Sequence, residues 1–255
     1  MRLIKFINES NEINEIKNKC KKYLKETSHN SILYRGQWDD DLDPYLNGVI
    51  KKEKTIKNRL PRNTSKEIHE IFNNGFKQVF GKNLRTESVF TTSNDRIAMG
   101  YGNAYLFFPT DPFEIYWSPY IHDLFSFYKN LKDHITFKNF ESDILSKNKN
   151  PNIIITILYL INENNSNSWN NETNVLTQNI INKYSSILPN DLNTKNIKEK
   201  LKPYIGNSIK DFINLFYKKG NLQAAIKSHN EVMVDCNEFY LISPKNDSIY
   251  KIWEK

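Results

Sequence analysis

The sequence predicts an α+β fold, and three features of its hydrophobic pattern indicate this class. Short apolar runs bounded by Gly, Pro and polar residues occur before residue 120 and again after residue 220, as is typical of strands. Amphipathic segments with apolar residues at helical spacing precede and separate these runs. Between about 130 and 219 the pattern is mostly helical. We therefore expect a single domain over residues 1–255, with a mostly helical insertion at about 130–219 between two strand-rich parts.

The elements of the first half follow from periodicity, caps and breakers. A run of polar residues that can cap a helix precedes apolar residues at helical spacing, and Gly81 can close that helix. The elements predicted up to residue 131 are a helix over 11–25, a strand over 31–35 that ends at Gly36, a basic loop over 51–62, a helix from the cap at 63–65 to Gly81, a strand over 87–93, a short helix or turn over 98–102, strands over 104–108 and 113–117, and a helix over 119–131.

In the second half, periodicity does not decide the secondary structure of two segments. Residues 153–161 are apolar throughout apart from Thr156, so they fit a buried strand or a buried helix equally well. Residues 222–226 fit a strand or a loop. The other predicted elements are a polar loop over 162–173, helices over 175–188 and 208–218, two strands within 231–242, and a final strand or packing tail over 248–253.

Composition restricts the function classes. The hydrophobic share of 38% and the aromatic share of 13% exclude a chain that is disordered throughout. The 36 Lys and Arg residues exceed the 29 Asp and Glu residues, which gives a net charge of +7. This excess is compatible with an anionic partner such as nucleic acid. The charges are spread along the chain, however, so composition alone favours a soluble basic protein.

Several common sites are not predicted. Cys20 and Cys236 are far apart and lack metal-ligand spacing, and the five His residues form no HxH or HExxH pattern, so we expect neither a disulfide framework nor a metal site. There is no GxGxxG or GxxxxGK[ST] loop, so phosphate binding would have to come from arginine. The longest apolar run has about nine residues, well short of the ~20 that cross a bilayer. With no signal-peptide pattern at the start, we expect a cytoplasmic protein without a membrane partner.

Three short segments carry residues that suit catalysis. Arg35 stands at the exit of a predicted strand, a hydroxyl run over 91–93 ends another, and Glu231 stands at the mouth of a late apolar strand. Each feature alone has a more ordinary explanation. Such an arginine is more often solvated or ion-paired, and the hydroxyl run and the glutamate are more often parts of turns.

In this order, the three segments resemble the Arg / Ser-Thr-Ser / Glu layout of the ADP-ribosyltransferase superfamily, in the branch of clostridial-type toxins and vertebrate arginine-modifying ectoenzymes. The resemblance implies a split, mixed β-sheet core with flanking helices, and NAD as a substrate. It makes Arg35 the arginine that holds the NAD phosphates and ribose, and Glu231 the catalytic glutamate. It assigns the positioning of the nicotinamide-ribose pocket and of the catalytic glutamate to the hydroxyl groups of Thr91, Thr92 and Ser93.

The neighbours of these residues complete the expected site. Gly36 adjoins Arg35, and stacking surface for nicotinamide or adenine is expected from Tyr34, Phe90 and Tyr101. His229 falls where many members of the superfamily carry Glu or Gln that contacts the acceptor, so His229 and Asn230 are the expected acceptor-binding residues. In the basic loop, Arg59 and Arg62 are expected to be solvated, with binding of the NAD phosphates or of an anionic acceptor as the alternative.

The resemblance implies a mono-ADP-ribosyltransferase. The acceptor is a macromolecule, and the basic composition slightly favours a nucleic-acid base in RNA or DNA over a protein side chain. The expected setting is an intracellular toxin of a toxin–antitoxin pair, a phage-defence protein or a phage-encoded effector, and a toxin needs a neutralising antitoxin protein as a partner. The alternative is a non-catalytic basic α+β module that binds nucleic acid or protein.

Overall fold

The computed structural model describes residues 2–38, 50–61, 64–131, 134–147, 150–163 and 171–254. Helices and strands are both abundant, so the predicted α+β class is confirmed. No helix within these ranges is long and apolar enough to cross a membrane. The chain divides into two compact units: a strand-rich unit of Met1–Arg59, Thr86–Tyr120 and Tyr217–Lys255, and a helical unit of Leu60–Arg85 and Ile121–Phe216.

The strand-rich unit contains two four-stranded sheets, ordered β1-β4-β8-β2 and β3-β7-β5-β6. The strands are β1 (Leu33–Gln37), β2 (Ile50–Lys54), β3 (Val89–Thr91), β4 (Asn103–Pro109), β5 (Glu114–Trp117), β6 (Lys218–Lys219), β7 (Val232–Asp235) and β8 (Glu238–Ile242). Every pair among these strands is antiparallel, so the mixed sheet implied by the family resemblance is wrong for the described residues. Most neighbouring strands are distant in sequence, and local residue patterns contain no information about their relative direction.

The helices of the strand-rich unit flank the sheets. They are α1 (Arg2–Lys19), α2 (Lys21–Glu26), α5 (Asp95–Met99), α12 (Leu222–Ser228) and a 3-10 helix (Asp247–Ile252). The core includes residues of both sheets, such as Phe107 and Val234, together with Tyr23 of α2. Burying a side chain of this size contributes about 1.5–3 kcal/mol. The core therefore fixes the strands from which the candidate site residues emerge.

The helical unit is formed largely by α3 (Lys66–Phe80), α8 (Pro151–Glu163) and α11 (Ile205–Phe216). Ser65 caps α3 by accepting a hydrogen bond from the N–H of Ile68, and Gly81 ends it with a φ of 74°, as predicted. The other helices here are α6 (Leu124–Asn130), α7 (His134–Phe140), α9 (Asn171–Lys183) and α10 (Ile197–Leu201), with a π-helical turn at Glu141–Leu145. The short helix α4 (Leu84–Glu87) lies where the sequence passes from this unit to the strand-rich one.

Four predictions of local structure are resolved or corrected. The open segment at 153–161 is helical, within α8. Residues 222–226 belong to helix α12 because Asn221 accepts a hydrogen bond from the N–H of Ala224, so neither a strand nor a loop is correct. The basic loop over 51–62 is wrong at its start because residues 51–54 belong to β2, which pairs with β8. The final segment is a 3-10 helix and not a strand, and the burial of Ile249 and Ile252 in the core agrees with the alternative of a packing tail.

Gly36 illustrates how tightly β1 packs against the segment that follows β3. A Cβ atom at this position would lie 2.0 Å from the carbonyl oxygen of Ala98 and 2.9 Å from the Cβ of Tyr101. The first distance is far below van der Waals contact, and the obstructing atom belongs to the backbone. Only glycine therefore allows this approach without a backbone shift.

We expect Gly36→Ala to lower the free energy of unfolding by about 1–3 kcal/mol, the usual cost of overpacking a close contact. Gly206→Ala is the matched control, because a Cβ there would meet nothing within 4 Å and the residue lies in helix α11. The control should raise stability by about 0.4–1 kcal/mol through reduced freedom of the unfolded chain. Urea denaturation measures both changes, and equal stability of Gly36→Ala and the wild type would contradict the expected clash.

Candidate active site

Two hydrogen bonds join β1 to the hydroxyl segment at 91–93. The N–H of Tyr34 donates to the carbonyl of Thr92 at 2.6 Å, and the N–H of Thr92 donates to the carbonyl of Tyr34 at 3.0 Å. This antiparallel bridge links the first sheet to the end of β3 in the second. Arg35, the next residue along β1, is thereby held beside the hydroxyl segment.

The three hydroxyl groups of this segment reach across to residues 226–232. The Thr91 hydroxyl donates to the carbonyl of Val232 at 2.9 Å. The Thr92 hydroxyl donates to the carbonyl of His229 at 3.1 Å, and the Ser93 hydroxyl donates to the carbonyl of Ile226 at 2.5 Å. The main chain on both sides of Glu231 is therefore held by side chains that lie more than 130 residues earlier.

Arg35 is partly buried, and its position is fixed by Phe90. The Nη1 atom of Arg35 donates to the carbonyl of Phe90 at 3.2 Å, and its guanidinium lies 5.8 Å from the centre of the Phe239 ring. The guanidinium of Arg59 lies 3.7 Å from the centre of the Phe90 ring, within the range of a cation–π contact. Two guanidinium groups thus contact one residue of β3.

Arg59 was expected to be solvated, but it is partly buried and its guanidinium lies over the Phe90 ring. Binding of an NAD phosphate or an anionic acceptor by Arg59, the alternative, stays a prediction. A basic residue after a strand gives no indication of which ring it will cover, since the ring belongs to a distant segment. Arg62, its expected companion, lies outside the described residues.

Glu231 immediately precedes β7 and is half-buried. The main chain on either side of Glu231 is held by two hydrogen bonds: the carbonyl of His229 accepts from the Thr92 hydroxyl, and the carbonyl of Val232 accepts from the Thr91 hydroxyl. The structure thus brings Arg35, the hydroxyl segment and the main chain around Glu231 into one hydrogen-bonded assembly.

Asn230 has a structural position that differs from the expected one. Its side chain is 3% exposed, and its Nδ2 donates to the carbonyl of Ser118 at 2.7 Å. A macromolecular acceptor cannot reach a side chain that is buried to this extent. The expectation that Asn230 binds the acceptor is therefore revised: it ties the segment before Glu231 to the end of β5.

His229 is exposed, in contrast to Asn230, and it ends helix α12 in the left-handed region with a φ of 57°. Its Nδ1 atom lies 2.9 Å from the hydroxyl oxygen of Ser93. His is one of the few residue types that are enriched at positive φ. Of the two residues expected to contact an acceptor, only His229 is accessible.

The comparisons with known proteins provide no relative for this site. No family model, no curated protein and no solved structure matches the chain. Function is therefore inferred from the contacts among residues 34–35, 90–93 and 226–232.

The aromatic residues expected to stack on NAD differ in accessibility. Tyr101 is 47% exposed, whereas Tyr34 is half-buried and packs against the core. Burial, with a smaller contribution from the Asp95 carboxylate, raises the pKa of the Tyr34 hydroxyl, which therefore stays protonated. One face of Phe90 is covered by Arg59, so a ligand ring cannot stack on that face.

Thiol and metal chemistry find no support at this site. Burial raises the pKa of Cys236 to about 11 and that of Cys20 to about 12, so neither side chain is a thiolate near neutral pH. Both cysteines are buried in the core. Among the residues that the structure describes, no group of three or more His, Cys, Asp or Glu side chains lies close enough together to hold a metal ion.

Proposed function

We propose that this protein is a mono-ADP-ribosyltransferase that transfers ADP-ribose from NAD to a macromolecular acceptor. The observation that carries the proposal is the hydrogen-bonded assembly of Arg35, the hydroxyl segment and the main chain around Glu231. These residues come from three distant parts of the sequence, and their order alone did not require them to meet. The paired antiparallel sheets from which they emerge support the further proposal of an ADP-ribosyltransferase-like split sheet.

Arg35 and Arg59 suit the phosphate end of NAD. An arginine guanidinium binds pyrophosphate oxygens bidentately, which the single ammonium of lysine cannot do. Because both guanidinium groups contact Phe90, a pyrophosphate bound by Arg35 would also experience the charge of Arg59. Arg35 is therefore proposed as the principal NAD-binding residue and Arg59 as a second source of positive charge.

The carboxylate of Glu231 is suited to the nicotinamide–ribose end of NAD, where the bond is cleaved. Cleavage of the nicotinamide–ribose bond develops positive oxocarbenium character on the ribose, and a carboxylate near the 2′-hydroxyl stabilises that charge in a cleft that excludes water. The hydroxyl groups of Thr91 and Thr92 are engaged with the main chain on either side of Glu231. Their proposed role is to fix the carboxylate before the substrate arrives, so that little reorganisation is needed during the reaction.

The proposed acceptor is a nucleic-acid base in preference to a protein side chain, because the net charge of +7 favours a polyanionic partner. The proposed setting is an intracellular toxin, a phage-defence protein or a phage-encoded effector. A toxin acting inside the cell that produces it also needs a neutralising antitoxin protein.

Incubation with labelled NAD and cell lysate tests the proposal. We expect nicotinamide release, transfer of label to macromolecules, and a higher melting temperature of the protein in the presence of NAD. Label that disappears with nuclease but resists protease would support a nucleic-acid acceptor, and the reverse result would indicate a protein acceptor. A non-catalytic binding module predicts no nicotinamide release and no effect of NAD on melting, and that outcome would contradict the proposed activity.

A further inference from the structure

A groove lies between helices α3 and α11 of the helical unit. It has a volume of about 450 Å³ and is open to solvent. Its apolar lining comes from Ile71 of α3 and from Ile205 and Ile209 of α11. Along α3 the lining extends from Ile71 to Gln78, which corresponds to about 10 Å of helix. The groove is therefore about two helical turns long.

The packing beneath the groove fixes its walls. Phe72 of α3 and Phe212 of α11 are fully buried, and their rings meet edge to face with centres 5.7 Å apart. Gly75 allows the two helices to approach closely, because a Cβ atom at this position would lie 2.9 Å from the Cγ1 atom of Ile209. A surface that is fixed in this way loses little conformational freedom when a partner binds.

Gly206 forms part of the groove lining, and no contact in the described part of the chain requires a glycine there. Its backbone is helical and its φ is not positive. A Cβ atom at 206 would meet no atom within 4 Å. Glycine is less favourable than alanine in a helix, so the residue weakens α11 while it keeps the groove open. This is the expected arrangement where another chain approaches a helix closely.

The charged side chains around the groove are basic. Lys77 lines it on the α3 side. Lys210 follows Gly206 by four residues and therefore lies on the same face of α11. Lys202 lies in the turn that leads into α11, and all three lysines are exposed. A partner with negative charge beside its apolar residues would complement this surface.

The carboxylates of the two helices do not cancel this charge at the groove. Among the described residues, no carboxylate lines it. Glu67 and Glu70 of α3 form ion pairs with other lysines of the helical unit, at 3.1 and 3.8 Å. Asp211 of α11 accepts hydrogen bonds from two asparagine side chains. The groove thus combines an apolar floor with a positively charged rim.

We propose that this groove binds an acidic amphipathic helix of a partner protein. A helix satisfies its own backbone hydrogen bonds, so it can lie in a groove that offers only side chains. Two turns place apolar residues three or four positions apart in the groove, and Asp or Glu residues beside them face the lysines. The groove lies in the helical unit and the residues of the proposed transferase site lie in the strand-rich unit, so this inference is independent of that function.

Selection from a displayed helix library tests the proposal with the full-length protein as the target. The library carries random residues on one face of a stable helix, so it favours no charge in advance. Each selected clone is then measured against Gly206→Leu, whose side chain fills the groove. We expect clones whose affinity falls at least about 10-fold, as when a central apolar anchor is lost. Their sequences should have apolar residues three or four positions apart and an excess of Asp and Glu.

Asn207→Leu is the matched control for Gly206→Leu. It adds the same side chain to the next residue of α11, which is exposed and does not line the groove. We expect the clones to bind this variant with wild-type affinity. Gly206→Leu itself should melt at or above the wild-type temperature, because leucine favours a helix and a Cβ there meets no neighbour. Loss of binding would then reflect the filled groove and not unfolding.

The variant Lys77→Glu/Lys210→Glu tests the charge of the rim. We expect it to weaken the same clones by about 10-fold at low salt and by less at high salt, since exposed charges are screened. Unchanged affinity, or sensitive clones that are neutral or basic, would contradict an acidic partner.

Other results would overturn the groove as a site for a partner helix. One is a library that yields no clone sensitive to Gly206→Leu. A second is a dimer in sedimentation that Gly206→Leu dissociates, which would assign the groove to another copy of this chain. A third is single-stranded RNA or DNA that binds the wild type but not Gly206→Leu, which would assign it to nucleic acid.

Discussion

Glu231→Gln is expected to lower kcat for both nicotinamide release and ADP-ribose transfer by about 10²–10³-fold, the usual effect of removing one preorganised electrostatic group. The substitution keeps the shape of the side chain and removes its charge. Because Thr91 and Thr92 hold the main chain on both sides through carbonyl groups, the local backbone should stay in place. The loss would then report on charge stabilisation of the ribose rather than on a displaced loop.

Steady-state kinetics with labelled NAD measures this effect, and thermal melting verifies that the variant is folded. Glu254→Gln makes the same chemical change at an exposed position after the last helix, so it should leave kcat unaltered. Retention of more than about a tenth of the wild-type kcat by Glu231→Gln, well outside the range for such groups, would contradict the catalytic assignment.

Arg35→Lys is expected to raise KM for NAD by about 10- to 100-fold, because a bidentate guanidinium is replaced by a single ammonium. Hydrogen bonds that involve a charged group are worth about 1.5–3 kcal/mol, which corresponds to this range. The lysine retains the charge, so long-range attraction to the phosphates survives and only the directed contact is lost. The Nη1 contact to the Phe90 carbonyl would weaken as well.

Calorimetric titration with NAD and kinetics together test the role of Arg35. The matched control is Arg96→Lys, because Arg96 is exposed on helix α5 and only its main-chain N–H takes part in capping that helix. The control should bind NAD as the wild type does. A variant that loses kcat while KM and affinity stay the same would indicate that Arg35 does not hold NAD.

The elements that the sequence predicted well have strong local signals. Helix α3 has a serine cap, an apolar stripe and a closing glycine, and β4 and β5 are apolar runs separated by prolines. Strand β2 has no such signal, because its sequence is Ile-Lys-Lys-Glu-Lys, and it is a strand because its backbone pairs with β8. Tertiary pairing of this kind cannot be inferred from local propensity.

For the site, the sequence identified the participating segments but not the partner of each side chain. The order of Arg35, the hydroxyl run and Glu231 suggested that they belong together. Adjacent residues in the chain nevertheless have opposite environments: His229 is exposed and Asn230 is buried. This difference arises from the helix end at His229 and the contact with Ser118, and both depend on the folded structure.

The three hydroxyl groups at 91–93 all donate to carbonyl groups of the main chain rather than to side chains. The side chains at 226 and 232 can therefore be exchanged without removing a hydrogen bond, as long as the backbone keeps its path. A new side chain at 229 would alter the groups presented to the macromolecular acceptor, but the main-chain carbonyl that holds the segment before Glu231 would remain. The proposed NAD-cleaving apparatus and the choice of target are thus separable during evolution, so that descendants of one scaffold can diverge in what they modify.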